Sequence, residues 1–177
     1  IPCLMGMLSL GFISGGDDKE IHWMSFDEAV KLDAAHPRKI IIDVYTPWCG
    51  WCKKMDADTY TNPDIISYIN KNYYAVRLDA ETADTFHFKD HKFYNTKPHT
   101  RGYTNELASS LLDGKLAYPT TVYMDENFSR LTFVQSYINV TDMKPILMYF
   151  AENKYKTMKF EDFKKSQQPA AATTTTQ

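Results

Sequence analysis

The sequence predicts a single α/β domain in which a central mixed β-sheet is flanked by helices. Ile40 to Val44 form a nearly continuous β-branched run, which is typical of a strand buried on both faces. Helix-start signals alternate with strand patterns through the first half of the chain, which favours parallel strands. Two later strand patterns, at 121–124 and 130–137, flank turn residues and predict an antiparallel pair. Together these strands make a mixed sheet.

The first elements are a short strand and a helix. Ile21 to Met24 predict the strand, and Ser25 with Glu28 forms a capping box that begins the helix. Pro37 stops this helix, because proline cannot continue the hydrogen-bond ladder. The buried strand then covers Lys39 to Tyr45.

Two helices separate that strand from the next one. The first carries Cys49 and Cys52 at its start, and Asn62 with Pro63 caps and opens the second. Tyr73 to Leu78 predict the following strand, so helices should cover both faces of the sheet.

Residues 80–103 interrupt this alternation and are interpreted as an insertion. Within them, 86–88 and 92–94 alternate like a β-hairpin around the turn at Lys89 and Asp90, and a basic, polar stretch follows. A helix should begin near Thr104 and Glu106, and the last main helix should begin at Thr141. Phe160 and Phe163 indicate one more helical turn.

The two ends of the chain differ from the predicted domain at 21–165. Residues 1–13 form an uncharged apolar run, followed by small residues 14–16, so 1–20 are interpreted as the remnant of a secretory signal. An uncleaved anchor and a buried N-terminal segment remain open alternatives, and Cys3 has no assigned role. Residues 166–177 are low-complexity sequence and predict a disordered tail.

Composition excludes several classes of function. Twenty basic and 22 acidic residues give a net charge of −2, which lacks the basic excess that nucleic-acid binding requires. The three cysteines are too few for a disulfide-stapled fold. No nicotinamide or flavin motif is found, so no cofactor is predicted.

The pair Cys49 and Cys52 therefore calls for a chemical explanation. A Cys-x-x-Cys motif at a strand-to-helix junction predicts thiol–disulfide exchange, because the helix N-terminus stabilises a thiolate on the first cysteine. We expect an exposed Cys49 to attack and a shielded Cys52 to resolve the mixed disulfide. The alternative is half of a zinc site, which needs two further ligands. Three histidines of the insertion form no recognised zinc spacing with the pair: His87, His91 and His99.

The segment 40–53, with the motif Cys49-Gly50-Trp51-Cys52 preceded by Trp48 and by Asp43, resembles the active-site segment of the thioredoxin superfamily. Residues 77–79 resemble that family's central strand end, and 118–121 resemble its cis-proline loop. The resemblance covers roughly 21–153 and implies a thioredoxin fold with a hairpin insertion before the cis-proline loop. The insertion is closer to exported, periplasmic bacterial members than to the short cytosolic form.

The resemblance also implies roles for single residues. Asp43 would be the buried acid that takes and returns the proton of Cys52, and the alternative is a polar residue tolerated at a strand end. Pro119 would be cis, so that the Tyr118 backbone can pair with a substrate strand, whereas a trans proline at an edge strand is the alternative. The remaining predicted substrate-binding residues belong to the motif and its rim: Trp48, Gly50 and Trp51.

Two residues depart from the family pattern, so the family's reduction potential and partner preference are not carried over to this chain. Trp51 replaces the proline that is usual between the cysteines, and Arg77 replaces a frequent lysine, so it would act only as a fixed charge near Asp43. The leading hypothesis is a protein-disulfide oxidoreductase, as a reductase rather than an oxidase or isomerase. Its expected partners are protein thiols and disulfides and an upstream dithiol donor, with a membrane only if the anchor is retained. The competing hypothesis is a binding module in which the disulfide is passive.

Overall fold

A computed structural model describes residues 18–167, which form seven strands, six α-helices and one short 3-10 helix. The predictions about the secretory signal, Cys3 and the low-complexity tail fall mostly on residues 1–17 and 168–177, outside the described residues. The predicted start of the disordered tail at 166 is too early, because Ser166 is the last residue of a helix. None of the helices that are described combines the length and the apolar character that a bilayer crossing requires.

The N-terminal half alternates strands with helices, as the sequence pattern predicts. Its elements are β1 (Trp23–Met24), α1 (Phe26–Ala35), β2 (Lys39–Tyr45), α2 (Gly50–Asp58), α3 (Pro63–Asn72) and β3 (Tyr73–Asp79). The capping box of α1 is present, since the Ser25 side chain accepts a hydrogen bond from the Glu28 N–H and Glu28 bonds back to the Ser25 N–H.

The C-terminal half begins with a separate hairpin and ends in helices. Its elements are β4 (Phe86–Phe88), β5 (His91–Phe93), α4 (Glu106–Leu111), β6 (Thr120–Met124), β7 (Arg130–Gln135), α5 (Val140–Ala151), the 3-10 helix Lys154–Lys156 and α6 (Phe160–Ser166). The predicted hairpin is confirmed, with β4 and β5 antiparallel around Lys89 and Asp90.

The central sheet has the strand order β1-β3-β2-β6-β7. β1, β3 and β2 are parallel, whereas β6 runs antiparallel to β2 and β7 antiparallel to β6. The predicted mixed sheet is therefore confirmed. β2 lies at its centre and is buried along its length, because helices cover both faces.

Alternate residues of β2 enter two separate cores. Ile40 and Ile42 pack with Phe26 of α1, Phe86 of the hairpin and Leu107 of α4. On the other face, the core is formed by residues of β2, β6 and the remaining helices, including Ile41, Tyr123, Met55, Ile65, Met143 and Phe163. Asp43 has the same parity as Ile41, so its carboxyl faces the second layer.

Several element boundaries differ from the predicted ones. β1 is shorter than predicted, and α5 begins at Val140 because Asn139 caps it by accepting a hydrogen bond from the Asp142 N–H. α4 likewise begins after Asn105, whose side chain accepts from the Leu107 N–H. In both cases a capping asparagine, rather than the nearby threonine, sets the helix start.

Candidate functional site: a disulfide at the end of the central strand

The two cysteines lie where β2 gives way to α2. After β2, the chain turns so that the Cys49 N–H donates to the Thr46 carbonyl over 3.1 Å, and Cys49 becomes the N-cap of α2. Its Sγ accepts a hydrogen bond from the Cys52 N–H at 3.0 Å. The unpaired N–H groups at a helix N-terminus favour negative charge on this sulfur.

Cys49 and Cys52 form a disulfide, with 2.09 Å between the sulfurs and 5.3 Å between the Cα atoms. Cys49 is only 5% exposed and Cys52 is 3% exposed. The prediction of an exposed Cys49 is therefore wrong for the oxidised form, because the sulfur turns into the first turn of α2 to meet Cys52. Both cysteines are buried in the disulfide form.

Asp43 is a buried carboxyl in the layer between the sheet and α2. Its side chain is 2% exposed, and burial raises its pKa to about 7. The positive charge of Arg77 opposes this shift in pKa, and the negative charge of Asp56 adds to it. A carboxyl with this pKa can both accept and return a proton near neutral pH.

Arg77 lies opposite Asp43 in the parallel pair of β3 and β2, and its charge is shared with α2. Its Nε is 3.9 Å from Asp43 Oδ2, whereas an Nη donates a 2.6 Å hydrogen bond to Asp56 Oδ2. Arg77 also lies over the ring of Tyr45, 4.5 Å from its centre. Arg77 is the fixed positive charge that the sequence predicts near Asp43, but its guanidinium lies closer to Asp56 than to Asp43.

Two buried hydroxyl groups beside Asp43 were not identified from the sequence. Thr121 lies directly opposite Asp43 in the pair of β2 and β6, so their side chains share a face. The Tyr60 hydroxyl is near enough to lower the pKa of Asp43, yet no hydrogen bond of ordinary geometry joins them. Both hydroxyls are buried without a hydrogen-bond partner in the described residues. Strand register places Thr121 beside Asp43, and the packing of the chain after α2 places Tyr60 there, so no local motif reveals either neighbour.

Aromatic side chains form the rim of the site. Trp48 and Trp51 are 45% and 59% exposed. The Trp48 ring meets Tyr118 edge to face at 6.1 Å, and Trp51 lies 5.7 Å from Tyr137. A groove of about 400 Å³ runs beside the disulfide and is lined by Trp51, Ala117, Tyr118, Pro119, Gln135, Ser136 and Tyr137.

The remaining predicted site residues also lie at this rim. The peptide bond between Tyr118 and Pro119 is cis. Gly50 is exposed between the cysteines, with open space where a side chain would stand. The structure thus brings together the predicted residues from three places in the chain: the end of β2, the start of α2 and the loop before β6.

Glu81 is a further site residue, which no sequence motif indicates. It is 5% exposed, and its Oε2 accepts a 3.0 Å hydrogen bond from the Trp48 indole N–H. Its Oε1 accepts from the Gly102 N–H at 2.9 Å. Glu81 therefore fixes the rim tryptophan to the segment 80–103. Among residues 18–167, no group of three or more His, Cys, Asp or Glu side chains is arranged to hold a metal ion.

Comparison with known proteins identifies the family. Residues 9–168 match the family Thioredox_DsbH, described as a protein of unknown function, DUF255. The chain belongs to this family. An uncharacterised protein of Archaeoglobus fulgidus is 28% identical over 76 residues, which cover 43% of this chain and 59% of that protein. The match thus spans less than two thirds of this relative.

Solved structures share the thioredoxin fold at low sequence identity. A DsbH oxidoreductase is 15% identical, with 83% of this chain and 95% of that chain covered and a TM-score of 0.54. A thioredoxin-fold protein from Helicobacter pylori is 12% identical, with 86% and 94% covered and a TM-score of 0.58. A Thermus thermophilus thioredoxin is 13% identical, with 72% and 85% covered and a TM-score of 0.53.

The predicted membership of the thioredoxin superfamily is confirmed. The family, the fold and the disulfide between Cys49 and Cys52 support a thiol–disulfide redox role.

Proposed function

We propose that this protein reduces disulfide bonds in other proteins, with Cys49 and Cys52 as its redox pair. The observation that carries the proposal is the disulfide at the N-cap of α2, which follows the strand β2 that carries the buried carboxyl of Asp43. A disulfide that served only as a passive element would need neither the thiolate-stabilising helix end nor a buried proton acceptor in the same layer.

The proposed cycle starts from the reduced protein. The Cys49 thiolate attacks a substrate disulfide, forms a mixed disulfide and releases one substrate thiolate. Asp43 accepts the proton of Cys52, whose thiolate then attacks Cys49 and releases the second substrate thiolate. The substrate gains two electrons and the protein is left with the Cys49–Cys52 disulfide. An upstream dithiol protein returns the two electrons.

The rim residues would hold the substrate during this exchange. Trp48 precedes Cys49 and Trp51 follows it by two residues, and both offer exposed aromatic surface that suits flexible polypeptide. The groove between Trp51, Tyr118 and Pro119 can take an extended segment, and the Tyr118 backbone can pair with it as an added strand. Gly50 leaves room for the approach of the substrate sulfur.

The charges around the cysteines favour the reducing direction. No histidine lies between the cysteines to stabilise the Cys49 thiolate further, and the Asp43 carboxylate disfavours a second negative charge. Weaker stabilisation of the reduced form lowers the reduction potential, which we place nearer to the ~−270 mV of thioredoxin than to the ~−120 mV of a strong oxidant. Equilibration with glutathione measures this reduction potential. A value near the ~−120 mV of a strong oxidant would overturn the reductase assignment.

The activity itself is tested with insulin and dithiothreitol. We expect the wild-type chain to accelerate insulin reduction and Cys49→Ser to abolish the acceleration. Cys52→Ser should accumulate mixed disulfides through Cys49, because attack is retained while resolution is lost. These adducts should be released by dithiothreitol. Absence of both turnover and adducts would favour the binding module.

We also propose that the protein is exported, to the periplasm in a bacterial host. Support comes from the uncharged apolar residues 1–13 followed by small residues 14–16, a pattern that suits a secretory signal. Thioredoxin-fold redox proteins of exported compartments act on the disulfides that form there. Fractionation of cells expressing the full-length protein tests this, and recovery in the cytoplasmic fraction alone would contradict it.

A further inference from the structure

A basic loop lies against the rim of the candidate site. We use this name for residues 95–103, which carry Lys97, His99 and Arg101 but no acidic residue. The whole chain, in contrast, has a net charge of −2. All three side chains are exposed, and the exposed ring of Tyr103 lies among them. This loop is thus a local cationic surface on a slightly acidic protein.

The loop is held in place by hydrogen bonds rather than by a hydrophobic core. The Asn95 side-chain amide donates to the Tyr103 carbonyl at 2.7 Å, and Lys97 Nζ donates to the Tyr103 hydroxyl at 3.1 Å. The His99 N–H donates to the Glu81 carbonyl at 2.8 Å. Glu81 also binds the Gly102 N–H and the Trp48 indole. The loop and the active-site tryptophan therefore share one buried anchor.

Arg101 connects this loop to the reactive pair. Its guanidinium carbon lies 4.4 Å from the centre of the Trp48 ring, and Trp48 directly precedes Cys49. Stacking leaves the N–H groups at the edge of the guanidinium free to bind a carboxylate. Across residues 18–167, the ion pairs found within 4.0 Å involve neither Lys97 nor Arg101.

Two carboxylates lie beside Trp48. Asp79 and Glu81 line a small pocket together with Trp48 and His99. Both Glu81 oxygens accept hydrogen bonds, and Asp79 Oδ1 accepts from the Glu81 N–H at 2.9 Å. These acids are engaged within the protein, whereas the cations of the loop are exposed. An approaching partner therefore meets the cations first.

We propose that the basic loop and Trp48 form a docking surface for an acidic segment of the protein substrate, with Arg101 binding a carboxylate beside the reacting cysteine. This inference rests on the proposed reductase function and adds a substrate class to it. Complementary charge at an interface mainly raises the rate of productive encounter and selects among partners. Arginine and aromatic residues are also enriched at protein interfaces.

The test uses two peptides that differ only in charge. Each carries one cysteine joined through a disulfide to neutral mercaptoethanol, flanked either by aspartates or by lysines. Reduced wild-type protein should reduce the acidic peptide with a kcat/KM roughly tenfold above that of the basic peptide at low salt. The advantage should shrink as ionic strength rises from ~0.01 M to ~0.15 M, because the Debye length falls from about 30 Å to about 8 Å.

Charge reversal in the basic loop tests whether its cations cause the preference for the acidic peptide. Lys97→Glu/Arg101→Glu should reverse the preference, and Arg101→Gln should reduce it while retaining the length of the side chain. Lys31→Glu/Lys71→Glu is the matched control, because it changes the net charge equally at exposed positions on α1 and α3. Equal rates for the two wild-type peptides, or a preference that the loop variants retain, would overturn the proposal.

Neutral bis(2-hydroxyethyl) disulfide separates this proposal from the function on which it rests. Wild type and both loop variants should reduce it at equal rates, because the small substrate needs no docking surface. If wild type fails to reduce it, the reductase function itself is wrong. If the loop variants alone fail, the loop supports the fold of the site rather than substrate choice, and the docking proposal is wrong.

Discussion

Replacing Asp43 by Asn should change how the stability of the oxidised protein depends on pH. Asp43 is buried, and its pKa is raised to about 7 from a usual value of 3.8. Below pH 3.8 both the folded and the unfolded chain hold this proton. Between 3.8 and 7 only the unfolded chain ionises, so the wild type loses stability as the pH rises. Each pKa unit corresponds to 1.36 kcal/mol, which makes the full loss about 4 kcal/mol.

The asparagine variant has no carboxyl group at position 43, so it does not lose stability in this way as the pH rises. We expect the free energy of unfolding of the variant to increase, relative to that of the wild type, by about 4 kcal/mol as the pH rises from about 4 to above 7. Urea denaturation of both oxidised proteins across this range measures the difference. Asp90→Asn, in the exposed hairpin turn, controls for the loss of one negative charge. A difference that stays constant with pH, or moves the opposite way, would refute the assignment of a raised pKa to Asp43.

Three further predictions concern the site. Iodoacetamide should label Cys49 before Cys52 in the reduced protein, because the N-cap position favours the Cys49 thiolate. Mass spectrometry shows the order of labelling, and earlier labelling of Cys52 would reverse the two roles. Asp43→Asn should slow release of the mixed disulfide, and an unchanged rate from about pH 6 to about pH 9 would remove Asp43 from the mechanism. Glu81→Leu should lower the free energy of unfolding by about 1–3 kcal/mol, because the Trp48 and Gly102 N–H groups lose their acceptors. Glu81→Gln keeps one acceptor oxygen and should recover part of the lost stability. Equal urea midpoints for the two variants would contradict this role of Glu81.

The sequence by itself determined the fold class and the redox pair. The β-branched run of β2 and the capping box of α1 are local signals. Each specifies its element through residues that are close together in the chain. The spacing of Cys49 and Cys52 is local in the same sense, because three residues along a helix bring two side chains to one side. The hairpin of β4 and β5 was predictable for the same reason.

The tertiary structure alone decided which groups surround that pair. Thr121 and Arg77 flank Asp43 only because β6 and β3 pair with β2 in one register, and a shift by one residue would turn them to the other face. Glu81 and Arg101 reach Trp48 from a segment that begins more than 30 residues later in the chain. Local propensity cannot encode such meetings, because they depend on strand register and on the path of a loop across the surface. The sequence therefore determined the chemistry of the two sulfurs, whereas packing decided the charge and shape that a substrate encounters.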